Sequence, residues 1–141
     1  MPKVKFSYQR RMQFYETDGM GIIHHANYLL LLEEARLQFL RELSGDKDGD
    51  ILSDINYPLV SAHVDYKLAL KFNDLVTIDY EVSTEGAKLI FEYCLWTKSV
   101  DKPSAFGKTV HVAFDMRSQR AIRLPEAVIN FINQRGQNHG S

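Results

Sequence analysis

The sequence predicts an α+β domain in which an antiparallel sheet follows one long, early helix. Three observations carry this. Alternating apolar positions mark an opening strand, a helical apolar stripe runs over residues 27–43, and four more alternating segments follow with turn-like connections. At 141 residues the chain fits one domain, expected over 1–141, and is long enough for a core.

Val4, Phe6, Tyr8, Met12 and Phe14 share a period of two, so the segment up to Phe14 reads as a strand. Residues 15–26 break the pattern, and Gly19 and Gly21 mark a loop. A helix is expected from about Asn27 to Leu43, with Asn27 as N-cap. Tyr28, Leu32, Ala35, Phe39 and Leu43 form its apolar stripe, with Glu34, Gln38, Arg41 and Glu42 opposite. Its first turn is apolar nearly all round, as suits a helix that a sheet covers on most sides. Ser44-Gly45-Asp46 supplies the stop, with Gly45 fit for a left-handed residue.

Four strands are then expected. Val60, Ala62, Val64, Tyr66 and Leu68 share one face of the first, with Ser61, His63, Asp65 and Lys67 on the other. Val76, Ile78, Tyr80 and Val82 alternate with polar residues in the second. Leu89, Phe91, Tyr93 and Leu95 alternate with Ile90, Glu92, Cys94 and Trp96, so the third reads as covered on both faces at its centre. In the fourth, Val110, Val112, Phe114 and Met116 alternate with Thr109, His111 and Asp115. Asn73-Asp74, Glu85-Gly86 and Asp101-Lys102-Pro103 are turn-like, and short connections imply antiparallel neighbours. Pro125 opens a short C-terminal helix to about Gln134. One helix against one curled sheet leaves a face or an edge uncovered, which points to a homo-oligomer, a dimer or a dimer of dimers.

Composition excludes several classes. The hydrophobic share is 45%, the charged share 25% and the net charge −1, which gives no electrostatic footprint for nucleic acid or an anionic membrane. The longest apolar stretch, Leu29 to Leu32, is too short to span a bilayer, and the first residues lack the apolar run of a signal peptide. The one cysteine, Cys94, can form no internal disulfide and reads as inert core. A reduced, cytoplasmic setting is expected, with no cofactor. His24 and His25 stand beside Asp18, but adjacent residues rarely point at one centre and no third ligand is evident, so no metal site is expected.

The informative stretch is the loop before the helix. Asp18 sits in a glycine-bearing loop that leads into a helix N-terminus, whose free N–H groups can stabilise an oxyanion growing on a carbonyl. A carboxylate beside an oxyanion site is what acyl transfer to water requires. A loop Asp before a helix is also a common cap or turn former.

Glu16-Thr17-Asp18, Gly21-Ile22-Ile23, His25 and Tyr28 resemble the signature of the 4-hydroxybenzoyl-CoA thioesterase family, in its acyl-CoA thioesterase branch. Glu33, Ala35 and Arg36 match the helix pattern that follows it. Ser61-Ala62-His63-Val64-Asp65-Tyr66 resembles the family's next strand, and Phe72-Asn73-Asp74 its following turn. The resemblance covers roughly residues 4–116 and implies a hotdog fold, a curled antiparallel sheet wrapped around a long central helix, with paired subunits and the site at their interface.

The resemblance further implies hydrolysis of an acyl-CoA thioester. Asp18 is then the catalytic carboxylate, as base or nucleophile, and the backbone N–H near His25 polarises the carbonyl while the His25 side chain assists. The residues expected to contact substrate are Tyr15, Gly21, Ile23, His24, Asn27, Tyr28, Ser61, His63, Lys67 and Lys88. Two positions depart from the family pattern. Phe14 stands where many relatives carry Tyr, and Tyr15, in a strand, would point the other way. Near the turn at Glu85-Gly86-Ala87 only Lys88 replaces the Arg that often meets CoA phosphate.

The structural alternative is a surface or interface role for His63 and His111, an i, i+3 ion pair for Glu33 and Arg36, and solvation for Lys67, Lys71 and Lys88. Two other functions fit the same fold: a non-catalytic acyl-CoA-binding protein, and a dehydratase or hydratase.

Overall fold

The computed structural model describes residues 2–45 and 54–139, with side chains to residue 136. Strand β1 (Val4–Arg11) leads through a 3-10 turn (Phe14–Glu16) and a loop into helix α1 (Asn27–Leu43). Then come β2 (Ile55–Asn56), β3 (Leu59–Tyr66), β4 (Leu75–Glu85), β5 (Lys88–Thr97), β6 (Ala105–Asp115), β7 (Arg120–Ile122) and helix α2 (Glu126–His139). The strands form one antiparallel sheet in the order β1-β4-β5-β6. Both β2 and β3 lie on the free edge of β6, while β7 pairs with the last residues of β6 from the other side.

Helix α1 keeps the expected bounds and packs against one face of the sheet. Leu31, Leu32, Ala35 and Phe39 are fully buried there. Phe39 sets its ring edge-on to Phe6 and Phe91, and the Tyr80 hydroxyl donates to the Ala35 carbonyl at 2.6 Å. Gly45 ends the helix at φ 80°, with its N–H on the Glu42 carbonyl; Asp46 lies outside the described residues. Leu29 and Leu30, in the apolar first turn, remain 43% and 54% exposed. Helix α2 runs beyond the expected Gln134 and lies beside α1, with Phe131 edge-on to Phe39. Among the described residues no helix is long and apolar enough to cross a membrane.

Three expectations are corrected. The 67–74 connection does not join neighbours, because β3 pairs with β6 and β4 with β1 and β5. It crosses the end of the sheet instead, where it holds the Asp18 loop. The centre of β5 is covered on one face only: Ile90 is buried, Cys94 and Trp96 are half-buried, and Glu92 is exposed.

The third correction concerns β6, whose faces are reversed. Thr109 and His111 point toward α1 and are buried, while Val110, Val112 and Phe114 are half-buried on the other side. At Gly107 the helix passes so close that a Cβ would meet Leu32 at 3.0 Å, which leaves no room there for a larger side chain. Thr109 and His111, the two polar residues, are satisfied in a chain of hydrogen bonds. Arg36 Nη1 donates to the Tyr93 hydroxyl at 3.2 Å, that hydroxyl lies 2.6 Å from Thr109 Oγ1, and Thr109 lies 3.0 Å from His111 Nε2. The Tyr57 carbonyl, 3.0 Å from His111 Nδ1, can only accept. Neutral His111 therefore donates from Nδ1, accepts at Nε2, and orients every hydroxyl in the chain.

Burial, then the charge of Arg36, pushes the His111 pKa from 6.5 down to about 4. Between these values the unfolded chain binds a proton that the folded one refuses. The neutral histidine's stability is thus complete above pH 6.5 and lost as pH falls toward 4, by up to ~3 kcal/mol. Melting curves from pH 7.5 to 4.5 are expected to fall more steeply for the wild type than for His111→Gln. Parallel curves would show that His111 is not the proton acceptor.

Candidate active site

The loop at residues 17–23 is closed by backbone bonds. Thr17 and Ile23 form an antiparallel bridge, and the Asp18 N–H donates to the Ile22 carbonyl at 2.8 Å. The crossing connection grips it from outside: the Ile23 N–H reaches the Leu70 carbonyl, and the Phe72 N–H reaches Gly21, both at 2.8 Å. Gly19 and Gly21 sit at φ 93° and 87°, a region that strains any side chain, so both glycines are needed by the turn itself. Ile23 is an anchor, only 3% exposed.

The helix entrance differs from the expectation at one position. Ala26, at φ −63° and ψ −24°, is the N-cap, and its N–H is taken by His24 Nδ1 at 3.1 Å. Asn27 is the first helical residue, and its side-chain amide donates to the Glu16 carbonyl at 2.7 Å. Its side chain thus closes the loop rather than capping the helix. The Asn27 and Tyr28 N–H groups return to the His24 and His25 carbonyls. Among the described residues no acceptor meets the His25 N–H. The rings of His24 and His25 stack, with centroids 4.4 Å apart.

Beside this entrance lies an open cleft of ≈ 270 Å³, lined in part by Ile22, His25, Tyr28, Tyr66, Lys67 and Leu68. Tyr28 is buried, and its hydroxyl accepts the Leu70 N–H at 3.3 Å. Tyr66, read from the sequence only as an apolar strand position, lies edge-on to both Tyr28 and His25 and donates to the His25 carbonyl at 3.3 Å. Its one signal in the sequence was its place at the end of the Ser61–Tyr66 motif. Asp18 is exposed at the loop tip. Its Oδ1 accepts the Met20 N–H at 2.8 Å, so it does form a turn; its Oδ2 meets no donor among the described residues.

Not all the predicted contact residues gather here. Tyr15 is 79% exposed in the 3-10 turn rather than in a strand, and Phe14 meets the Phe72 ring. Ser61 and His63 sit farther along β3, and His63 lies 3.0 Å from Asp65. On β6, Tyr66 pairs with Ala105 but Lys88 with Val112, seven residues away, or ~23 Å along the strand. Within one chain, then, Lys88 lies far from the Tyr66 end of the sheet, while Ser61 and His63, opposite Val110 and Lys108 on β6, fall between the two levels. Arg36 makes no ion pair with Glu33 and points inward to Tyr93. Cys94 is half-buried on the outer face, not in the core, and burial, then the charge of Asp79, raises its thiol pKa. Arg10 escaped the sequence reading because period two makes it only a polar strand position; it holds Glu16 and Glu34.

A curled antiparallel sheet with a helix on one face, and a carboxylate-bearing loop feeding that helix, defines a hotdog-fold domain of the thioester-hydrolase type. The chain belongs to the thioesterase-like superfamily, whose family model matches residues 12–132. An acyl-CoA thioesterase YbgC from Haemophilus influenzae is 31% identical over 126 residues, covering 87% of this chain and 90% of that protein. A putative esterase from Aquifex aeolicus is 29% identical over 127 residues, covering 90% and 97%. A crystal structure from the same organism superposes with a TM-score of 0.79 at 29% identity, covering 90% of this chain and 98% of that one. A solved gentisyl-coenzyme A thioesterase gives a TM-score of 0.77 at 26% identity, covering 89% and 98%. The family expected from the loop motif is borne out, and with it the enzyme class, a thioester hydrolase.

Proposed function

We propose that the protein hydrolyses acyl-CoA thioesters to the free acid and CoA at the cleft beside the start of α1. The supporting observation is the His25 N–H, which has no acceptor among the described residues and belongs to a residue lining the cleft. The N-terminal end of a helix dipole favours negative charge at such a place. A thioester carbonyl held there would gain charge on its oxygen as the tetrahedral intermediate forms. Asp18, through its free Oδ2, takes the proton of the attacking water, or attacks directly to give an anhydride that water then cleaves. In either route the C–S bond breaks and the sulfur leaves as the CoA thiol. The acyl-CoA and gentisyl-coenzyme A thioesterases among the relatives support this substrate class.

The site is completed, in this reading, by a second copy. Strand β3 is an edge with Leu59, Val60 and Tyr66 about half exposed, and edges of this kind seek a partner. Antiparallel pairing of two identical β3 edges would set the start of one beside the end of the other. The predicted contacts on this edge, Ser61 and His63, would then approach the Tyr66 end of the other copy's strand, beside its His25. Light scattering at micromolar concentration is expected to give at least a dimer, and a stable monomer would exclude this arrangement.

Free-thiol release across a panel of aliphatic and aromatic acyl-CoAs tests the reaction. Thiol release with acid formation is expected. Binding without release would favour an acyl-CoA-binding protein, and water addition across a carbon–carbon double bond with the thioester intact would favour a hydratase.

A further inference from the structure

Glu16 is 5% exposed, an unusual place for a carboxylate. Arg10 of β1 meets it with both ends of its fork, Nη1 on Oε1 at 2.5 Å and Nη2 on Oε2 at 2.8 Å. The Gln13 N–H adds a bond to Oε1 at 2.9 Å. Arg10 Nε lies 2.9 Å from Glu34 Oε2, two turns into α1. One guanidinium thus joins strand, turn and helix, which its planar fork allows and a lysine ammonium does not. The backbone of Glu16 faces the other way. Its carbonyl accepts both the His24 N–H at 3.0 Å and the Asn27 amide at 2.7 Å. Thr17, next in the chain, is bridged to Ile23, and Asp18 follows. The side chain of Glu16 therefore fixes the loop to β1, and its carbonyl fixes the start of α1 to the loop.

We propose that the Arg10–Glu16 pair is a positioning device that sets Asp18 against the His25 N–H; this rests on the roles given to those two groups above. If the pair served stability alone, loosening it would lower the melting point and leave the folded enzyme's kcat unchanged. As a positioning device it acts on kcat, because both reacting partners are held through Glu16.

The test is a double-mutant cycle of Arg10→Lys and Asn27→Ala, with kcat and KM measured on an acyl-CoA that the wild type hydrolyses, well below each melting midpoint. Arg10→Lys is expected to lower kcat about tenfold or more with KM nearly unchanged, since a 1 Å misplacement can cost about 10²-fold. Asn27→Ala is expected to lower kcat less, and the double variant to be no worse than Arg10→Lys, because both cut the same linkage. If Arg10→Lys does not fold, Glu16→Gln takes its place with the same expectation. Folded Arg10→Lys with the wild-type kcat, or losses that multiply independently, would overturn the proposal. A wild type inert toward every acyl-CoA would instead refute the hydrolase reading.

Discussion

Asp18→Asn is expected to keep the fold and lose about 10²- to 10⁴-fold in hydrolysis, the usual effect of removing a positioned base. The loop gives a specific reason to expect the fold to survive. Asp18 Oδ1 accepts the Met20 N–H, and an asparagine oxygen can do the same. The other ties of the loop run through backbone: Asp18 to Ile22, Ile23 to Leu70, and Phe72 to Gly21. None senses the charge of the side chain. The substitution at this exposed site is therefore expected to change stability by less than about 0.5 kcal/mol. An amide cannot accept the proton of water or form an acyl anhydride, so either route through Asp18 stops. A pure turn former would behave in the opposite way, with a small melting shift and unchanged turnover. Thermal melting and thiol release on the same preparation separate the two, and turnover near the wild-type value would remove Asp18 from the mechanism.

The fold was legible where one force acted alone. Helix α1 needed only its apolar stripe and a left-handed glycine, and both bounds agree with the structure. Strands β4 and β5 bury the alternating set that their sequences display, from Val76 to Val82 and from Leu89 to Leu95. In β6 the rule of apolar inward failed because the polar side chains find partners inside. Tyr93 satisfies Thr109, and Thr109 and the Tyr57 carbonyl satisfy His111. The valines then face outward, which no single-strand pattern reveals. Strand pairing was hidden as well: Asn73-Asp74 is a true turn, with Asn73 at φ 71°, yet it ends a crossing rather than a hairpin.

The candidate site was legible as a motif and illegible as an architecture. Glu16-Thr17-Asp18 and Gly21 pointed to the right family, and the left-handed glycine was a physical necessity of the turn. The bonds that hold the loop come from places a local reading does not reach. Leu70 and Phe72 lie about fifty residues downstream, and Arg10 looks like any polar residue of an exposed strand until Glu16 is seen buried beneath it. Asn27 illustrates the limit of a residue-type rule. It is a good N-cap by composition, but Ala26 takes that position and the asparagine amide closes the loop onto Glu16 instead.

The backbone donor can be tested directly, because proline removes an N–H that no ordinary side-chain change touches. His24 and Asn27 close a turn through the His24 carbonyl and the Asn27 N–H at 2.9 Å. His25 is its second residue and Ala26, at φ −63° and ψ −24°, its third. Proline is favoured at the second position of such a turn and wants the residue before it extended, as His24 is expected to be on leaving the bridged Ile23. No acceptor is lost, since none of the described residues receives the His25 N–H. The His25 carbonyl remains free to hold Tyr28 and Tyr66. His25→Pro and His25→Ala both lose the imidazole and its stacking on His24, so their comparison isolates the N–H. His25→Ala is expected to weaken turnover less than Asp18→Asn does. His25→Pro is expected to fall about 10²- to 10³-fold below His25→Ala in kcat, the usual effect of deleting one oxyanion donor. Equal rates in the two folded variants would mean that the carbonyl is polarised elsewhere. Complete loss in His25→Ala with the fold intact would move the essential role from the backbone to the imidazole.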